Sequence, residues 1–150
     1  MRQARQRGFS LIEVILSLGL LAGALISIAG LFALGDRHVV GGRKATEALA
    51  MGQTILETID GWGFQQTYAG FGFDGSATSY TVDSRSNAAA AAWQAVLNAR
   101  LFDSHALIEL SSLGAGPPAM NAAGAIRVGV TVNWIENQRP RSVRVSTVRM

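Results

Sequence analysis

The chain has no cysteine among its 150 residues. Disulfide frameworks, thiol nucleophiles and the common cysteine-based zinc sites are therefore excluded. Histidine is almost as scarce. His38 and His105 are the only two, and neither stands at metal-ligand spacing from carboxylates on a shared helix face. Asp103-Ser104-His105 has the residue types of a hydrolytic triad, but adjacent residues cannot converge as orienter, nucleophile and base. Asp74 and Asp83 are too few carboxylates for a calcium site and read as solvated loop acids. No catalytic, cofactor-binding or metal-ligating set emerges, and the sequence predicts that the protein is not an enzyme.

Clustered charge is lacking as well. The formal net charge is +3, but three of the thirteen basic residues, Arg2, Arg5 and Arg7, lie in the first eight positions. Beyond them ten basic side chains face ten acidic ones, and Arg43-Lys44 is the only adjacent basic pair. A nucleic-acid binder gathers its charge on one face, so no nucleic-acid contact is expected. Gly70-Phe71-Gly72-Phe73-Asp74-Gly75 spells GxGxxG, the dinucleotide fingerprint. That motif needs a strand before it and a helix after it. Here a helical pattern precedes and Thr78-Ser79-Tyr80-Thr81-Val82 reads as a strand, so the segment is a connecting loop.

What the chain does have is an uneven share of apolar residues. They make up 49 % of the whole and concentrate between Phe9 and Leu34. Residues 14–34 carry no charge. As a helix that stretch covers about 31 Å, close to the hydrocarbon thickness of a bilayer. Basic residues precede it, which predicts a cytoplasmic N-terminus with the rest of the chain across the membrane. Ser27-Ile28-Ala29 offers a small-x-small signal-peptidase site, but the apolar run is too long for an ordinary secretory signal peptide. Glu13 stands out. An ionisable residue in a spanning segment is costly and points to function, here eased by the helix dipole in the first turn.

Arg7-Gly8-Phe9-Ser10-Leu11-Ile12-Glu13-Val14, followed by the apolar run, resembles the signal sequence of type IV prepilins and type II secretion pseudopilins. The resemblance implies cleavage between Gly8 and Phe9 by a prepilin peptidase, N-methylation of Phe9, and an assembly role for Glu13. It also implies partners: other pilins or pseudopilins in a hetero-oligomeric filament, an inner-membrane assembly platform, and membrane lipid. The expected location is the bacterial inner membrane, single-pass with a periplasmic C-terminal domain, and then the pilus or pseudopilus. A pairing of the new Phe9 amine with a neighbour's Glu13 carboxylate makes physical sense, since each offsets the other's desolvation. Gly19, Gly23 and Ser27, at i, i+4 and i+8, form a small-residue stripe suited to close helix packing in lipid. Many major pilins carry a helix-bending proline where this sequence has Gly30, which favours a minor subunit.

The resulting division is a leader at 1–8, a transmembrane and assembly helix at 9–35, and a pilin-like domain at 36–150. In the domain a helix resumes after Gly41-Gly42, whose role is either a joint or a helix weak point. Its apolar positions are Ala45, Ala48, Leu49, Gly52, Ile55, Leu56 and Ile59. Gly61-Trp62-Gly63 ends it, and a variable loop at 61–79 is a place for surface specificity. A second helix is expected at about 87–101, with Trp93, Val96, Leu97 and Leu101 in one stripe, then a short strand at Leu107-Ile108-Glu109-Leu110. A terminal hairpin at about 125–149 follows from Ile126, Val128, Val130, Val132 and Trp134 alternating with polar residues. The fold class is α+β, a long N-terminal transmembrane helix followed by a small antiparallel sheet. The closing tract Val130-Thr131-Val132-Asn133-Trp134 with Arg141-Ser142-Val143 also resembles minor pilins of the PilV kind. The competing reading is a membrane-anchored periplasmic binding domain that enters no filament.

Overall fold

A computed structural model describes residues 10–114 and 116–150, with the side chains of residues 36–38 outside the description. The chain divides into two compact units, residues 1–40 and 41–150. Helix α1 is Leu11–Asp60. Gly41 and Gly42 do not break it: both are helical, although each glycine costs about 1 kcal/mol in a helix interior. At Gly41 the backbone comes close to the sheet: a Cβ there would sit 3.3 Å from a carboxylate oxygen of Glu136.

In the second unit, α1 buries Ala48, Met51, Gly52, Ile55, Leu56 and Ile59. This corrects the face read from the sequence, because Ala45 and Leu49 are exposed and Met51 joins instead. The helix is turned so that Gly52 meets the sheet. A Cβ on Gly52 would lie 2.9 Å from Val145 Cγ2 and 3.7 Å from Val132 Cγ2.

The sheet is a four-stranded antiparallel meander in the order β1 (Ser79–Asp83), β2 (His105–Ser112), β3 (Ile126–Glu136), β4 (Arg139–Arg149). Its register places Val82 against Ile108, Ile108 against Val130, and Val130 against Val145. Those residues, with Ala106, Leu110, Ile126, Val128, Val132 and Trp134, share the core with α1, as strand alternation requires. The short strand expected at Leu107–Leu110 is twice that length and runs from His105 to Ser112. The β3–β4 turn has Asn137 and Gln138 at φ 49° and 61°, the left-handed pair of a type I′ hairpin. Glu136, Arg139 and Pro140 belong to the strands themselves. Pro140 is tolerated because β4 is an edge strand.

Helix α2 (Gln66–Ala69) lies inside the stretch expected to be a variable surface loop. Thr67, Tyr68, Phe71 and Gly75 are buried, and Trp62 packs on Phe71 with ring centroids 5.3 Å apart. Gly75 has φ +76°, and a Cβ there would reach within 2.8 Å of Tyr68. Within residues 61–79 the aromatics Tyr68 and Phe71 therefore join the core, while most of the residues between and after them stay exposed. Asn87 caps the next element by accepting from Ala89 N at 2.9 Å. A 3₁₀ turn, Ala88–Ala90, leads into α3 (Ala91–Arg100). Leu97 and Leu101 are buried and Trp93 half-buried, but Val96 faces solvent, outside the stripe predicted for it.

α1 has no basic residue in its last turn. Arg149, at the end of β4, supplies the cap: its guanidinium donates to the carbonyls of Ile59 and Trp62. Gly52→Val places a branched side chain between α1 and the β3–β4 hairpin. It is expected to lower the stability of the second unit by about 1–3 kcal/mol, read as an earlier thermal unfolding transition of the full chain in detergent.

Candidate functional site

The residues singled out by the sequence fall in the first unit. Gly8 and Phe9 lie outside the described residues. Ser10 precedes α1, and its carbonyl accepts from the amides of Glu13 (3.0 Å) and Val14 (3.2 Å), so it starts the helical hydrogen bonding. Glu13 is thus in the first helical turn, where the backbone dipole favours an anion. Its side chain is exposed. A groove of about 320 Å³ runs beside it along Val14, Ser17, Leu18 and Leu21, apolar apart from the carboxylate and one hydroxyl. Ser17 turns that hydroxyl inward to its own helix, donating to the Glu13 carbonyl at 2.7 Å. The Glu13 carboxylate is left as the polar group available to a neighbour.

Every residue from 10 to 35 is exposed. Leu11, Ile12, Ile15, Leu20, Ile26 and Phe32 are each more than half exposed, and they lie on all sides of the helix. A helix that is apolar all round belongs in lipid or among other apolar helices. α1 is long and apolar enough to cross a membrane.

Gly19, Gly23 and Ser27 advance about 40° per step around the helix, so they form a narrow stripe. A Cβ added at Gly19 or Gly23 would meet nothing within 4 Å. Ser27 donates to the Gly23 carbonyl at 2.9 Å, which keeps its hydroxyl from protruding. Gly30, equally open, extends the same stripe by a further turn. Among the described residues nothing uses the close approach these residues permit.

The remaining candidates separate. Asp103 pairs with Arg85 (2.8 Å), the Ser104 hydroxyl donates to the Leu101 carbonyl (3.1 Å), and His105 lies against Asn133. Asp74 and Asp83 each close a local turn by accepting from Ser76 N and Arg85 N, both at 2.9 Å. Hydrogen bonds from Ser76 hold the Asp74 carboxyl below its ordinary value. Among the described residues no three His, Asp or Glu side chains come together to hold a metal.

One arrangement in the second unit was not read from the sequence. On the outer face of the sheet, Arg144 of β4 crosses over Gly129 of β3 and reaches Glu109 of β2 at 2.6 Å. Its Nη2 lies 3.1 Å from where a Gly129 Cβ would be. The signal was Gly129 within an otherwise regular alternation, since a strand glycine marks close approach by another group.

Because a side chain at position 23 meets nothing within the chain, Gly23→Ile should insert into bilayers as before and keep its helix content. Any loss of lateral association, measured by crosslinking of the membrane-embedded chain, then reports contacts with other helices. Comparison with protein-family models, with curated proteins and with solved structures finds no match to this chain.

Proposed function

We propose that the protein is a structural subunit, and a minor one, of a type IV pilus or type II secretion pseudopilus. On this reading it is held in the bacterial inner membrane by α1 and cut by prepilin peptidase between Gly8 and Phe9. It then passes through the inner-membrane assembly platform into a filament of other pilins or pseudopilins. The single observation that carries the proposal is Glu13. It is a lone carboxylate in the first turn of an exposed, otherwise uncharged apolar helix, four residues after the Gly8-Phe9 junction of the prepilin-like motif.

The physical logic is one of gated pairing. Cleavage frees an amine at Phe9, and methylation keeps it cationic. In an apolar setting that ammonium and a neighbour's Glu13 carboxylate each lower the other's desolvation cost. Before cleavage no such amine exists at this depth, so uncut chains lack the partner. The groove beside Glu13 has the apolar lining that suits the ring of an incoming phenylalanine.

Two outcomes are expected. Co-expressed with a prepilin peptidase, the mature chain begins at a methylated Phe9, as read by mass spectrometry of the N-terminal peptide. A start beyond Ser27-Ile28-Ala29 would mean an ordinary signal peptide instead. Glu13→Leu keeps insertion and cleavage, but strands the partner's ammonium in hydrocarbon. At about 3–5 kcal/mol for an orphaned buried charge, its recovery in sheared filaments should fall by two to nearly four orders of magnitude, about 10²- to 4 × 10³-fold. Equal recovery of wild type and variant would leave a membrane-anchored domain that enters no filament.

A further inference from the structure

We infer that the end of the second unit nearest Gly41 docks on the anionic phospholipid headgroups of the bilayer in which α1 is anchored. The inference rests on the membrane-anchor reading and adds to it a contact of the folded domain itself.

Three chain segments meet at this end. The β3–β4 turn follows Glu136, whose carboxylate lies against Gly41. The connection between α3 and β2 is joined to it by Ile135 N donating to the Phe102 carbonyl at 3.0 Å. The start of the second unit brings Arg43 and Lys44. Three of the four acidic side chains at this end already have an arginine: Glu47 with Arg43 (3.1 Å), Glu136 with Arg141 (3.4 Å) and Asp103 with Arg85 (2.8 Å), while Asp83 accepts only from the Arg85 amide. Lys44, Arg100 and Arg139 are left over, and among the described residues none of them forms an ion pair. Against the one unpaired acid here, Asp83, three unpaired cations still leave a surplus of positive charge at this end, while Glu57 and Asp74 lie towards the C-terminal end of α1.

Phe102 stands in the same place and is 73 % exposed. It contributes little to the core, which makes it an unusual residue to leave in water beside a basic surplus. Basic side chains around a projecting aromatic ring match the chemistry of the membrane–water interface.

Chain connectivity chooses this end over the other. Gly41 follows Leu34, the last residue of the uncharged run, by seven positions, so even a fully extended link reaches at most about 25 Å. The opposite end lies a further helical stretch away, about 30 Å for residues 41–60. A headgroup layer within that reach is the one anionic surface that every anchored copy meets.

The absence of cysteine allows single labelling sites in the full chain. The chain is reconstituted into phosphatidylcholine bilayers with or without phosphatidylglycerol, with a fluorophore at Ser142→Cys near this end or at Gln65→Cys near the other. Quenching by headgroup-labelled lipid is then read. The Ser142 site should be quenched only with phosphatidylglycerol, and high salt should reverse it, while the Gln65 site stays unquenched. Arg100→Glu and Arg139→Glu, both at exposed positions, should each weaken the dependence on phosphatidylglycerol by at least about five-fold. Phe102→Ser should weaken docking without removing its salt sensitivity. Vesicle flotation separates the two claims. A chain that does not float overturns the anchor and the docking together. A chain that floats, melts normally and shows equal quenching with and without phosphatidylglycerol overturns the docking alone.

Discussion

The approach of α1 to the β3–β4 hairpin is the constraint on which the second unit depends. It is fixed at three points along one helix. At Gly41 the backbone comes close to Glu136, at Gly52 it comes close to Val145, and at Ile59 and Trp62 its last carbonyls are taken by Arg149. The contact at Gly52 needs glycine, and the last is made by a long cation. Gly52 is the central one. Without a side chain there, the helix settles near enough for Met51, Ile55, Leu56 and Ile59 to reach the inner face of the sheet. A side chain at that position would lift the seam away and open gaps that apolar packing does not tolerate.

The outer face of the sheet is left to water and is kept there by polarity. Arg144, laid over Gly129 and paired with Glu109, covers the middle of the face with charge. The edges are treated in a related way. β1 has only five residues, and β4 carries Pro140 and several arginines along its length. Short or charged edges discourage pairing with a stray strand. The unit is thus closed to nonspecific sheet extension, and its exposed Phe102 sits at one end with Lys44, Arg100 and Arg139.

The two units answer opposite demands. Residues 41–150 bury their apolar side chains on one another. Residues 10–35 expose theirs entirely, so that segment is satisfied only by lipid or by other helices. A polar group in such a segment acquires importance in proportion to its rarity. Glu13 is the one carboxylate there, and Ser17 and Ser27 spend their hydroxyls on their own helix. The consequence is a helix with a single strong polar demand, placed within one turn of its start.

What the sequence determined by itself was whatever depends on near neighbours. The uncharged run, Glu13 within it, the alternation from Ile126 to Trp134 and the α+β class are all local patterns, because helix and strand periodicity repeat within a few residues. The tertiary structure decided what depends on distant ones. Which face of α1 is buried, with Met51 in and Ala45 and Leu49 out, follows from where the hairpin lies. The burial of Tyr68 and Phe71 ties the segment after α1 to the core. The helix runs through Gly41 and Gly42 with Glu136 beside Gly41, and it ends under Arg149, some ninety residues later in the chain. Periodicity shows which residues share a side of an element, but not the surface that the side will meet. That partner is chosen by packing across the whole chain, where close approach and desolvation are settled between residues that no local pattern connects.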